Sequence, residues 1–244
     1  MHRFFVAPEL VQQLDAIVTL PKELARQLRD VLHLQVGEQV ALLDNSGDEI
    51  LATIASVSKS AVDVRLVERR AGKSESPVRI ILCQGLLKSA RFEWVLEKGT
   101  ELGVSVFFPI LCRRSMAGLE DAGTSKTQRW QRIIKEAAEQ SGRARLPELL
   151  PIRPLTRALN DIPPGALALM PWEEERALML RDALRSSSPS TVIIFIGPEG
   201  GLTAEEVKLA QRHGAQVVSL GSRILRAETA ALATVASVMY ELEV

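Results

Sequence analysis

Two turns in the last third of the chain carry residue types and spacings suited to ligand chemistry. TVIIFI (191–196), apolar on both faces, runs into Gly197-Pro198-Glu199-Gly200-Gly201 and then into LTAEEVKLAQRHG (202–214). That is a strand, a glycine turn and a helix. A backbone without side chains lets a ligand approach closely. Thr203 and Glu206 have the Thr-x-x-Glu spacing of a capping box, and Gly214 ends the helix. The glycines lack the Gly-x-Gly-x-x-Gly spacing of a dinucleotide site, and no Gly-Lys-Ser/Thr of a phosphate loop is present. The Glu199 carboxylate would repel a pyrophosphate; a ligand with a positive centre or ribose hydroxyls suits this turn better. As a bare pattern it reads either as a structural turn or as a ligand loop.

The second turn follows AQVVSLG (215–221), where Ser222-Arg223-Ile224-Leu225-Arg226 leads into a helix from about Ala227. That helix, AETAALATVASVMYELEV (227–244), is rich in small residues that let another backbone come close. It reads either as a high-propensity helix on the core or as a tight contact with another helix or a second subunit. ALALM (166–170) ends in a further turn at Pro171-Trp172. Three strand ends at one edge of an open α/β sheet are where such sheets bind ligands.

A sheet must bring these turns together, and from residue 78 strands and helices alternate as in parallel α/β structure. Strands are predicted at 78–85, 104–112, 166–170, 191–196 and 215–221. Helices are predicted over 88–102, 126–141, 173–184, 202–214 and from 227, with SSSPS (186–190) as a loop. The first seventy residues read as a small β-rich module. Its strands lie at 36–44, 49–58 and 61–69, with a turn at 45–48 and a short helix over 21–32. Short strands joined by tight turns point to a small barrel. The polar stretch 69–77 breaks the pattern and sets the domains at 1–72 and 73–244.

Composition narrows the function classes. The chain has 244 residues, 46% hydrophobic and 25% charged, an ordinary globular balance. No apolar run approaches the roughly 18 residues of a membrane helix, and MHRFFVAPEL lacks a signal-peptide core. Cys83 and Cys112 sit in apolar strands and read as free buried thiols. His2, His33 and His213 lack ligand spacing, so no metal site is expected. Net charge is zero, yet residues 73–157 hold 15 Lys/Arg against 9 Asp/Glu, between flanks of net −2 and −4. A basic middle is what a polyanion-binding face looks like, and also what a solvated helix face looks like.

GPEGG (197–201) followed by LGSRILRAETA (220–230) resembles the cofactor loops of the SPOUT superfamily of S-adenosylmethionine-dependent RNA methyltransferases. Further stretches extend the match: HRFFV (2–6), the 88–103 helix with Glu93, Lys98 and TELGV, Arg114-Ser115, Arg129-Trp130, and EAAEQSGR (136–143) with Pro147. Together they make the whole chain similar to the bacterial ribosomal small subunit methyltransferase E family. Gly99, inside a predicted helix, departs from what a helix favours.

The resemblance implies an α/β fold: a PUA-like RNA-binding barrel followed by a SPOUT methyltransferase domain with a C-terminal trefoil knot. It implies a cytoplasmic homodimer that methylates N3 of a uridine in 16S ribosomal RNA on the 30S subunit. S-adenosylmethionine would be held by three loops: Leu169, Met170 and Pro171; Gly197, Pro198, Glu199, Gly200 and Gly201; and Leu220, Gly221, Ile224, Leu225, Ala227 and Thr229. Arg3, Arg91, Arg114, Gln140 and Arg143 are the expected RNA contacts. Arg226 would orient uracil or its phosphate, the alternative being a surface ion pair. Glu199 and Glu228 are candidate proton acceptors; alternatively Glu199 binds cofactor hydroxyls and Glu228 favours its helix N-terminus. Two other readings stay open: a SPOUT enzyme with another RNA target, and a non-catalytic RNA-binding assembly protein.

Overall fold

The computed structural model of the protein describes residues 1–72, 74–116, 118, 123–186 and 188–242. Lys73, in the predicted boundary stretch, Ser187, in the predicted 186–190 loop, and residues 243–244 of the last predicted helix lie outside the described residues. The chain forms two compact units, one of residues 1–75 with 138–146, the other of 76–137 with 147–244.

The first unit holds β1 (His2–Phe5), β2 (Ile17–Thr19), α1 (Lys22–Arg26), β3 (Gln39–Leu43), β4 (Asp48–Val57) and β5 (Val62–Ala71). They form a five-stranded sheet in the order β1-β3-β4-β5-β2, with β1 parallel to β3 and the other pairs antiparallel. Val40, Leu42, Ile50, Ala52, Ile54, Val62, Val64 and Leu66 alternate toward one core, as the period of two requires. β1 and β2 escaped the sequence pattern because four and three residues are too few to show that period.

The other face of β1 and β3 carries Phe5 and Leu43, which pack with Ala138, Ala144 and Leu146. That apolar patch explains why 138–146 joins this unit. Polar bonds fix the segment: the Phe5 amide donates to Glu139 Oε1 at 2.8 Å. Glu75 accepts from the Ala144 and Arg145 amides, each at 3.0 Å, and from Arg143 Nη2 at 2.9 Å.

Glu49 is a buried carboxylate, bonded by Arg3 Nε at 2.9 Å and Arg70 Nη2 at 2.6 Å. Burial alone would raise its pKa, but the Arg3 and Arg70 hydrogen bonds win and hold it below the ordinary range. A depressed folded-state value stabilises the fold above the unfolded value near 4.3 and loses that stabilisation as pH falls through the folded value. Glu49→Gln should therefore cost about 1–3 kcal/mol at pH 7. Urea titrations at pH 7 and pH 3 should show a shallower pH dependence than wild type; equal slopes would remove Glu49 from the acid response.

The second unit continues with β6 (Arg79–Gly85), α2 (Ser89–Glu101), β7 (Val104–Leu111), α3 (Gly123–Ser141), β8 (Glu148–Leu149), β9 (Arg153–Pro154) and α4 (Leu155–Asn160). After these come β10 (Leu167–Pro171), α5 (Leu180–Arg185), β11 (Thr191–Ile196), α6 (Ala204–Arg212), β12 (Gln216–Val218) and α7 (Ala227–Leu242). The last residues of α3 fall in the first unit. Seven strands form one sheet, β12-β10-β11-β6-β7-β8 with β9 also on β7, and every pairing is parallel. The run at 191–196 is its central strand, apolar on both faces because helices cover both. On one face α2 and α7 bury Phe92, Val95, Leu96, Ala231, Val235 and Val238 against Ile80, Leu82, Val192 and Ile194. On the other, α4 and α6 bury Leu155, Leu159, Val207 and Ala210 among Phe108, Ile193 and Phe195.

The predicted 173–184 helix shrinks to α5. Glu175 Oε1 takes the Ala177 and Leu178 amides, at 2.6 and 3.3 Å, which holds turns where a helix would need those donors. Cys83 and Cys112 are free and buried, and burial pushes both thiols far up from their ordinary pKa.

Gly99 has a packing reason. A Cβ there would come within 2.8 Å of the ring of Phe107, itself buried on β7. Ala gains about 1 kcal/mol of helix propensity, but overpacking a buried ring costs about 1–3. Gly99→Ala should accordingly lower the melting temperature; an unchanged or higher value would show that Phe107 gives way.

Candidate active site

The carboxyl ends of β10, β11 and β12 lie side by side because those strands are adjacent and parallel. β11 ends at Ile196, and the Gly201 amide bonds Pro198 O at 2.9 Å to close the turn. Gly201 has φ +72°, a conformation that favours glycine. The turn also lies close to its neighbours. A Cβ on Gly85, at the end of β6, would sit 2.5 Å from Pro198 N and 2.6 Å from Gly197 C. On the other side Arg114 Nη1 donates to Gly200 O at 3.0 Å. The capping box expected at Thr203 and Glu206 is formed in both directions. Glu206 Oε1 also accepts the Arg113 amide at 2.8 Å.

The two neighbouring chain segments are tied to each other. The Trp172 amide bonds Val218 O at 3.1 Å, the Ser219 amide bonds Leu178 O at 2.8 Å, and Gly221 turns at φ +111° toward 222–226. Between these loops lies a cleft of about 490 Å³, within the range of small-molecule sites. Pro171, Ile196, Leu202, Ile224, Leu225, Ala227 and Ala230 give it apolar walls, and the backbone of Gly197–Gly201 forms one side. A small annex of about 60 Å³ shares Pro171 and Leu225 and adds Trp172, Leu220, Gly221 and Arg223.

Five charged residues line the cleft: Arg91, Glu173, Glu199, Arg226 and Glu228. Glu199 Oε1 accepts the Lys88 amide at the start of α2, at 3.1 Å, and lies 3.6 Å from Arg91 Nη1. Arg91 Nε is also 3.6 Å from Glu228 Oε1, so one guanidinium joins both carboxylates. Arg226 is exposed, with no side-chain partner among the described residues. No group of three or more possible metal ligands occurs among the described residues.

An RNA methyltransferase domain model matches residues 74–239, the segment that contains this entire cleft. The ribosomal RNA small subunit methyltransferase E of Bacillus subtilis is 32% identical over all of this chain and 98% of its own length. That of a Synechocystis species is 35% identical over 99% of this chain and 78% of its own. The chain belongs to this methyltransferase family. A crystal structure of a ribosomal RNA small subunit methyltransferase E from Neisseria gonorrhoeae, bound to S-adenosyl methionine, matches this methyltransferase with a TM-score of 0.90. It is 32% identical, with coverage of 99% of this chain and 98% of that one.

The methyltransferase cleft and its annex gather Pro171, Gly197, Pro198, Glu199, Gly200, Gly201, Leu220, Gly221, Ile224, Leu225 and Ala227, with Arg226 and Glu228. Leu169 and Met170 do not line it; they are strand residues buried in the two opposite core layers. Thr229 is exposed on α7 and does not line it either, whereas Ala230, one residue on, does. Of the expected RNA contacts, Arg91 lines the cleft and ties its carboxylates, and Arg114 braces the glycine turn. Arg3, Gln140 and Arg143 belong to the other compact unit. Gln140 is exposed there, and Arg3 is held by Glu49. Arg143 is buried there and paired with Glu75, which it braces. Gly85 and Glu173 went unread in the sequence. For Gly85 a signal existed, a glycine closing a strand just before a helix.

Proposed function

We propose that the chain transfers a methyl group from S-adenosylmethionine to N3 of a specific uridine in 16S ribosomal RNA, on the 30S subunit. The observation that carries this is the cleft itself, built at the three strand ends within the segment matching the methyltransferase model. Its residues fit the cofactor. Apolar walls and bare glycine backbone suit an adenosine body, and Glu173 and Glu199 suit a ligand with cationic sulfonium and ammonium groups. When bound, the cofactor supplies an electrophilic methyl carbon on sulfur.

The chain's own residues do the remainder. The Gly197–Gly201 and Leu220–Ala227 loops orient the cofactor, and orientation alone is worth up to about 7–11 kcal/mol in such a transfer. Arg226, an unpaired cation at the cleft, orients the uracil and stabilises charge on its carbonyl oxygens. The first unit, a strand-rich sheet with Arg3 and Gln140, is read as a PUA-like RNA-binding module. The second unit is read as carrying a trefoil knot, a reading that the adjacency of 219–226 and 172–179 through the Ser219–Leu178 and Trp172–Val218 bonds supports. Exposed Trp94 on α2 and Tyr240 on α7 support a face for a second copy. No helix among the described residues is long and apolar enough to cross a membrane, in keeping with a cytoplasmic ribosome-modifying enzyme.

The test is methyl transfer from labelled S-adenosylmethionine to unmodified 30S subunits and, in parallel, to naked 16S RNA, with nucleoside analysis. N3-methyluridine at one site, mainly on the particle, is the expected product. Binding of the cofactor without transfer to either RNA would leave the cofactor site standing and remove the substrate.

A further inference from the structure

The two cleft carboxylates differ in what they have left to offer. Glu199 already accepts the Lys88 amide and pairs with Arg91. Glu228 is 8% exposed, its Oε1 lies 3.6 Å from Arg91 Nε, and its Oε2 is buried with no partner among the described residues. A buried carboxylate oxygen without a donor is costly, and Glu228 lines the cleft. The missing donor is therefore expected from a molecule in the cleft.

The groups around Glu228 specify that donor. Glu228 shares the cleft lining with two guanidiniums, Arg91 and Arg226, which only donate. An acceptor among donors complements a ring edge that reads carbonyl, N–H, carbonyl. That is the imide edge of uracil. Cytosine presents an unprotonated ring nitrogen at the same place, which would turn a lone pair toward the carboxylate. We propose that Glu228 is the catalytic residue that receives the imide proton of the target base, and that it thereby selects uridine over cytidine.

This rests on the reading of the cleft as a uridine methylation site. The N–H electron pair stays on the ring nitrogen and the proton goes to Oε2, leaving that carboxyl neutral. The negative charge spreads onto the two ring carbonyls, which the guanidiniums stabilise. The nitrogen pair would then bond the methyl carbon as the carbon–sulfur bond breaks and its electron pair stays on sulfur, leaving a neutral thioether, and the proton later passes from Oε2 to water.

Glu228→Gln tests this in the full-length protein with unmodified 30S subunits, alongside subunits carrying cytidine at the target. The amide cannot take the proton and offers a donor as well as an acceptor. Single-turnover methylation of uridine should fall by about 10²-fold or more, and the preference for uridine over cytidine should shrink. The dissociation constant for S-adenosylmethionine, measured calorimetrically, should stay within about threefold of wild type. Turnover near the wild-type rate would overturn the proposal. So would a parallel loss of cofactor affinity, which would make Glu228 a cofactor ligand instead. Glu228→Asp, which keeps a carboxylate but withdraws it, should be slow with cofactor affinity intact, and serves if the Gln variant does not fold. Absence of N3-methyluridine with the wild-type enzyme would fail the uridine reading itself, and is seen separately in that arm.

Discussion

Gly85→Ala should cost the protein at least about tenfold in affinity for S-adenosylmethionine while leaving a folded chain. Gly85 closes β6 and faces the glycine turn across the sheet edge, and a methyl group there would stand 2.5 Å from Pro198 N and 2.6 Å from Gly197 C. Both are backbone atoms, so no side chain can swing aside. Gly85 does not have the positive φ of Gly201 or Gly221, so alanine fits its own backbone and the whole effect is steric. Overpacking of this kind costs about 1–3 kcal/mol, and the softest relief is outward movement of 197–201. Each 1.4 kcal/mol lost from the bound state is a factor of about ten. Calorimetric titration with the cofactor and a thermal melt separate the two effects. Wild-type affinity would mean that this turn does not hold the cofactor.

The contrast between Gly85 and the GPEGG turn shows what was legible in the sequence. The turn announced itself, because three glycines after a doubly apolar strand and before a capping box form a local pattern. Most of the elements from 78 onward were legible for the same reason, but β8, β9 and α4 were not predicted, two and six residues being too short to show a period. Gly85 carried only the weak signal of a glycine closing a strand, since its need for no side chain arises from a segment more than a hundred residues away. Gly99 is the same case: it looked like a poor helix residue until Phe107 was found against it.

Charged residues were harder still. Arg143 sits in the family-specific EAAEQSGR stretch and was expected at the RNA, yet its partner is Glu75, in a polar run that sequence alone marks only as a boundary. Glu199 and Glu228 were indistinguishable as residue types. Their difference lies in which oxygen has a donor, and that depends on where Lys88 and Arg91 at the start of α2 arrive. The Glu173 side chain was read as part of a helix because the amides that Glu175 captures are three-dimensional facts about a loop.

Arg226→Ala should separate catalysis from cofactor binding more cleanly than any other substitution in the cleft. Arg226 is exposed, lies between the lining residues Leu225 and Ala227, and its guanidinium has no partner among the described residues. Removing it breaks no internal bond, so stability should change by no more than about 0.5 kcal/mol. In the proposed reaction its charge matters only when negative charge appears on the ring carbonyls, so its contribution belongs to the transition state rather than the ground state. Losing one such donor costs about 10²–10³ in rate. The expected result is a fall of that size in methyl transfer to 30S subunits, with the melting temperature and S-adenosylmethionine affinity near wild type. Arg226→Lys, which keeps the charge but loses the planar fork, should recover part of the rate. A variant that binds the cofactor weakly would place Arg226 at the cofactor instead. One that turns over at the wild-type rate would leave Arg91 as the cation beside the uracil.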